Sequence, residues 1–142
     1  MPAIYVNTDN SNRTSKLFNA DKLGKSAAAG EKKMQEAVVE AISKAPDFNT
    51  DKPGKGYSLR MKVLAEPVGR GTKYTVTVEI IRYPLSPTKG GKGEEFVTTT
   101  SKPGSATVEG GSEADLLDAI AELTKSNVKA SLPVMRIDMT RR

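Results

Sequence analysis

Tyr57-Ser58-Leu59-Arg60-Met61-Lys62-Val63 and Lys73-Tyr74-Thr75-Val76-Thr77-Val78-Glu79-Ile80 are the two stretches that decide the fold. In the first, Tyr57, Leu59, Met61 and Val63 alternate with Ser58, Arg60 and Lys62; in the second, Tyr74, Val76, Val78 and Ile80 alternate with Lys73, Thr75, Thr77 and Glu79. Strict alternation puts one set on a buried face and the other in water, the pattern of a half-buried β-strand. Between them Pro67-Val68-Gly69-Arg70-Gly71 supplies the backbone freedom of a tight connection, so the two strands form an antiparallel hairpin.

Upstream, the period changes from two to 3.6. Met34, Ala37, Val38, Ala41 and Ile42 recur at helical spacing while Glu31, Lys32, Gln35, Glu36 and Glu40 take the other face, which predicts an amphipathic helix over about residues 26–44. Ala45-Pro46 ends it, since a residue before proline leaves the helical region. Ala3 to Val6 reads as a first strand, closed by the turn-forming cluster Asn7 to Asn12, and Leu17-Phe18 reads as a loop tacked onto the core.

Downstream of the hairpin, Pro84 to Gly93 reads as a basic loop and Glu94 to Ser101 as a threonine-rich strand, broken at Pro103-Gly104 and resumed at Ser105 to Glu109. Gly110-Gly111-Ser112 leads into a second helix, with Ser112 as N-cap and Asp115 three residues on. Leu116, Leu117, Ile120, Ala121 and Leu123 make its apolar face and Asn127 its expected stop. The order is β-α-β-β-β-α with a possible terminal β. It predicts an α+β fold: a mostly antiparallel sheet of about four strands with two helices on one face. A length of 142 residues suits a single domain, 1–142. Residues 129–142 are expected as an edge strand or extended assembly arm.

Composition narrows function. Cys and His are both absent, which removes disulfides, thiolate chemistry, the commonest general base and the commonest transition-metal ligand. Trp is absent and Phe and Tyr number 3 and 4, little aromatic lining for a ligand pocket. No cofactor and no catalysis are expected. No apolar run is long enough for a membrane span, and residues 1–11 lack the pattern of a signal peptide. The cytoplasm is the default expectation, with the cell envelope open if a signal has been removed.

Gly24-Lys25-Ser26 suggests a P-loop, but Asn19 stands where its first glycine belongs, so a plain loop entering a helix is expected. Glu94 with Glu95 and the helical set Asp115, Asp118 and Glu122 read as solvated charge. The net charge of +5 permits an acidic partner without requiring one. Arg82, Lys89, Lys92 and Lys102, around the 82–102 loop, are the candidate phosphate contacts of a nucleic-acid-binding alternative.

The favoured reading is a non-catalytic protein-binding or assembly module that uses strand edges and the terminal arm. Its candidate contacts are Ile81 and Tyr83, which fall on the wet face of the second hairpin strand, and Leu132, Val134, Ile137 and Met139 of the arm. Self-association, a place in a larger particle, or a role as an envelope accessory factor all fit.

The layout of strand, helix, alternating hairpin, Ser105-Ala106-Thr107-Val108 strand and Gly110-Gly111-Ser112 leading to a closing helix at Lys125 resembles small bacterial cell-envelope accessory domains of the TolB amino-terminal or penicillin-binding-protein-activator type. The resemblance implies protein binding without catalysis and assigns no site residue. The lipid-bearing cysteine of such lipoproteins is missing here.

Overall fold

A computed structural model describes residues 3–11, 16–51, 54–84, 96–100, 105–109 and 112–142. Among the described residues seven strands and two α-helices give an α+β architecture: β1 (Ile4–Asn7), β2 (Phe18–Asn19), a 3-10 helix (Asp21–Ser26), α1 (Ala27–Ser43), β3 (Phe48–Asn49), β4 (Gly56–Val68), β5 (Gly71–Tyr83), β6 (Phe96–Thr100), β7 (Ser105–Glu109) and α2 (Glu113–Thr140).

The alternating stretches form the β4–β5 hairpin, paired without a break from Gly56↔Tyr83 to Val68↔Gly71. Its two-residue turn is Gly69-Arg70, and Gly69 has φ +57°, the left-handed value a type II′ turn requires at its first central residue. Tyr57, Leu59, Met61 and Val63 join Val76, Val78 and Ile80 in one core with Met34, Val38, Ala41 and Ile42 of α1 and Ile120, Leu123, Val128 and Met135 of α2. Both helices therefore cover the same face of the sheet, as the matched apolar stripes require.

The sheet is mixed rather than mostly antiparallel. β1 pairs in parallel with β3 and β4, and β2 pairs in parallel with β4, while β5 pairs antiparallel with β6 and β7. The parallel joins follow from connectivity: α1 lies between β1 and β4, and a strand reached through a helical crossover enters its neighbour in the same direction. β2 and β3 have two residues each, too few to display a period. Among the described residues the strands fall into five rows, with β3 outside β1, β1 and β2 sharing one side of β4, and β6 and β7 sharing the far side of β5.

The largest departure concerns the carboxyl-terminal third. The strand or extended arm expected over 129–142 is the second half of α2, which runs unbroken from Glu113 to Thr140. Val128, Leu132, Met135 and Met139 meet the core at helical spacing. Asn127 does not stop the helix, since its amide donates to the Leu123 carbonyl one turn back (2.7 Å); Thr124 and Ser131 likewise bond the carbonyls of Ile120 and Asn127 (both 2.8 Å). Pro133 deprives the Lys129 carbonyl of its helical donor, but Pro133 and Lys129 are both exposed, so water can answer it. The expected cap is present: Ser112 Oγ accepts from the Asp115 N–H at 3.3 Å.

Among the described residues no helix is long and apolar enough to cross a membrane.

Candidate functional site

The hairpin has two ends of different character. At its base α2 closes a polar clasp. Arg82 donates from Nε and Nη2 to the Oδ2 and Oδ1 of Asp138 (3.0 and 2.6 Å), and the Tyr57 hydroxyl donates to the same Oδ2 (2.6 Å). Antiparallel pairing makes Tyr57 and Arg82 direct neighbours on the helix-covered face, so one carboxylate from α2 reaches both. Arg142 then donates to the carbonyls of Gly56 (2.9 Å) and Tyr83 (3.3 Å), with its guanidinium 5.4 Å from the Tyr57 ring centre. Two residues before Asp138, Arg136 forms a two-pronged pair with Asp47 and lies over the Phe48 ring.

The electrostatics of this clasp favour holding over proton transfer. The hydrogen bond from Arg82 keeps the Asp138 carboxyl below its ordinary pKa in spite of burial. Burial, then the bond to Asp138, drives the Tyr57 hydroxyl well above its ordinary value. Both groups are thus fixed in one charge state at neutral pH, unlike an acid or base tuned to the working pH.

On the outer face of the base, Tyr5 and Ile81 are each 1 % exposed. The Tyr5 and Tyr83 rings lie 4.9 Å apart, and burial, with Tyr83 and Asp9 nearby, pushes the Tyr5 hydroxyl up to about 12. Gly56 is required here, because a Cβ on it would run into the Tyr5 backbone.

The tip differs. β1 pairs with β4 only at Gly56 to Ser58, and β2 only at Met61 and Lys62. From Leu64 to Val68, β4 has no strand on its outer side among the described residues. The register fixes which backbone groups face that side. In a hairpin with a two-residue turn, the flanking pair Val68↔Gly71 is hydrogen-bonded, so even-numbered residues of β4 bond β5 and odd-numbered ones face outward. The Met61 N–H, which bonds the Leu17 carbonyl across that outer side, has the parity this requires. The Asn19↔Lys62 register gives the Val63 N–H to the Asn19 carbonyl, and Val63 is 1 % exposed, so the open groups begin at Ala65, with an N–H and a C=O, and continue to Pro67, with a C=O alone. Proline is tolerated within β4 because its missing donor belongs to the open side. Leu64 and Val68, 41 % and 44 % exposed, flank this edge on the face away from the helices.

No further strand flanks the β6 and β7 row among the described residues, but that row consists of two five-residue pieces, and short edge strands are the less adhesive ones.

The sequence-selected residues disperse. Ile81 is buried within the chain itself, and Tyr83 is half-buried against Tyr5. Leu132, Val134 and Met139 pack against the core, leaving Ile137 as the exposed member at 55 %. Arg82 is bound into the clasp with Asp138. Lys89, Lys92 and Lys102 lie outside the described residues, as do Glu94 and Glu95. Asp118 and Glu122 line a shallow charged groove between the helices, where Lys125 bonds Glu40 (3.1 Å) and Glu122 (3.6 Å). Gly24 takes φ +58° inside the 3-10 helix and Ser26 caps α1 without a side-chain bond. Sequence reasoning missed the open stretch of β4 and placed Pro67 in the connection, whereas the strand runs on through it to Val68.

Comparison with protein-family models, curated proteins and solved structures finds no match to this chain.

Proposed function

We propose that the chain is a non-catalytic protein-binding module that accepts an extended polypeptide segment along the outer edge of β4. One observation supports this reading: beyond the last β2 pairing, Ala65 and Pro67 face a side of β4 with no strand among the described residues, beside the exposed Leu64 and Val68. An added strand would take its affinity from main-chain hydrogen bonds and its selectivity from alternate side chains. The absence of Cys and His from the sequence, and a titratable clasp fixed away from neutrality, support binding over catalysis. The resemblance to envelope accessory domains implies the same class of role.

Amide hydrogen exchange read residue by residue tests it. A panel of short β-prone peptides, including one that copies residues 62–68 of this chain, should contain members that slow exchange at Ala65. Ala65→Pro should abolish the protection, since it removes an outward donor that takes no part in the β4–β5 ladder. If no peptide protects the Ala65 amide at any concentration, the edge is not a binding site.

A further inference from the structure

Beyond the edge-binding reading, and independent of it, we infer that residues 133–142, at the end of α2, form a strap that opens and closes as a unit at Pro133. Upstream of the proline, the buried face of α2 carries a polar line. Thr124, Asn127 and Ser131 are fully buried, and each bonds the carbonyl one turn back in its own helix. Asn127 Oδ1 is buried with no partner among the described residues. Among those residues, no hydrogen bond from this line ties α2 to the sheet or to α1, so it adds little to the docking of the helix. At Pro133 the ladder loses a bond as well, since proline has no N–H for the Lys129 carbonyl. Docking and backbone are thus both weakened in neighbouring turns, which is where a hinge is expected.

Beyond Pro133 the helix is held by polar contacts more than by apolar burial. Of residues 133–142, Met135 and Asp138 are the buried ones; Val134 and Met139 are partly buried and Ile137 is exposed. Asp138 accepts from Arg82 and Tyr57, Arg136 donates to Asp47, and Arg142 donates to the Gly56 and Tyr83 carbonyls. Water can replace contacts of this kind at small net cost, and a buried ion pair regains hydration when it opens. Apolar burial has no such substitute in water. Segments held this way sit at the low-stability end of a fold and open cooperatively. The strap also lays a guanidinium over each of two aromatic rings, Arg136 on Phe48 at 5.2 Å and Arg142 on Tyr57 at 5.4 Å. When closed it seals the base of the hairpin, and when open it leaves both rings without these covers.

Native-state amide exchange of the full chain, followed residue by residue, tests the strap. Amides from Val134 to Thr140 should share one opening constant. It should be larger than that of Arg60 and Glu79, which pair with each other in the hairpin, and less sensitive to urea, because less surface is exposed. Gly69→Ala, at the distant turn, should speed exchange at Arg60 and Glu79 about fivefold and leave the strap amides unchanged, since the hairpin stays folded while the strap is open. Asp138→Asn should speed all the strap amides by one common factor, roughly thirtyfold. Pro133→Ala, which restores a donor to the Lys129 carbonyl, should slow them. Exchange that instead grows residue by residue toward Thr140 is simple fraying of a helix end and overturns the inference. So does a Gly69→Ala variant whose strap amides speed up as much as Arg60 and Glu79, because the strap then opens only with the whole fold. Should Asp138→Asn fail to fold, the profile of the unaltered chain and the Gly69→Ala comparison still decide.

Discussion

The base and the tip of the β4–β5 hairpin share strands, register and alternation, yet they meet opposite surroundings. At the base, Tyr57 and Leu59 are fully buried under the helices, β1 flanks β4, and Asp138 and Arg142 tie α2 to the strand ends. At the tip, Leu64 and Val68 face water and β4 has lost its outer neighbour. Pairing within a hairpin therefore does not decide what a strand is for. Its second edge and its covered face do, and here both are withdrawn at the same end.

The sharpest way to break this contrast is with glycine. Gly56→Ala, at the base, forces a Cβ into the Tyr5 backbone and should abolish folding or cost several kcal/mol, because backbone cannot step aside as a flexible side chain can. Gly69→Ala, at the tip, has open space around the new Cβ and strains only a positive φ, a cost of about 1 kcal/mol. Urea denaturation should separate the two variants clearly; equal losses would dissolve the distinction between the ends.

Two leucines five residues apart on β4 give the next largest effect. Leu59→Ala leaves a cavity in a fully buried site and should cost about 3 kcal/mol. Leu64→Ala should stay within about 0.5 kcal/mol. A shift in the urea midpoint for Leu64→Ala as large as that for Leu59→Ala would mean that the tip is covered in solution.

The smallest expected effect is electrostatic. The folded chain holds Asp138 below its ordinary pKa of 3.8, so its stabilisation is complete above about pH 4 and is lost as pH falls through the lower folded value. Asp138→Asn should therefore cost about 2 kcal/mol near neutrality, discounted from a fully buried pair because Arg82 keeps some water contact. The gap between the two proteins should narrow as the pH drops below 4. At the tip, Glu66 and Lys73 are 3.9 Å apart and well exposed, and Glu66→Gln should change stability by less than about 0.5 kcal/mol at any pH. A gap for Asp138→Asn that is constant from pH 7 to about 2 would remove the charge from the explanation.

What could be read from sequence followed the length of the pattern. The hairpin, α1 and the Ser112 cap each repeat a signal over a full element, and the structure holds them where the spacing put them. β2 and β3 were illegible because two residues display no period, and the parallel joins came with them. The second half of α2 was misread because Asn127 and Pro133 are ordinary helix-ending signals. Only tertiary placement, Asn127 buried and bonded back to Leu123, Pro133 turned to water, makes them tolerable. Leu132, Val134 and Met139 also admit both periods over so short a span. The open stretch of β4 needed the extents of β1 and β2, which no local pattern reveals, and the partners of Asp138 lie 81 and 56 residues away along the chain.

Because Arg142 is pinned to Gly56 and Tyr83, it sits at the far end of the hairpin from the Gly69-Arg70 turn. Thirteen-residue strands at about 3.3 Å per residue set the two ends roughly 40 Å apart. A fluorophore or surface tether attached after Arg142 would therefore leave the tip pointing outward and unobstructed. The same distance makes a donor dye at the carboxyl end and an acceptor at the turn a useful ruler for whether the long hairpin stays straight when its tip is engaged.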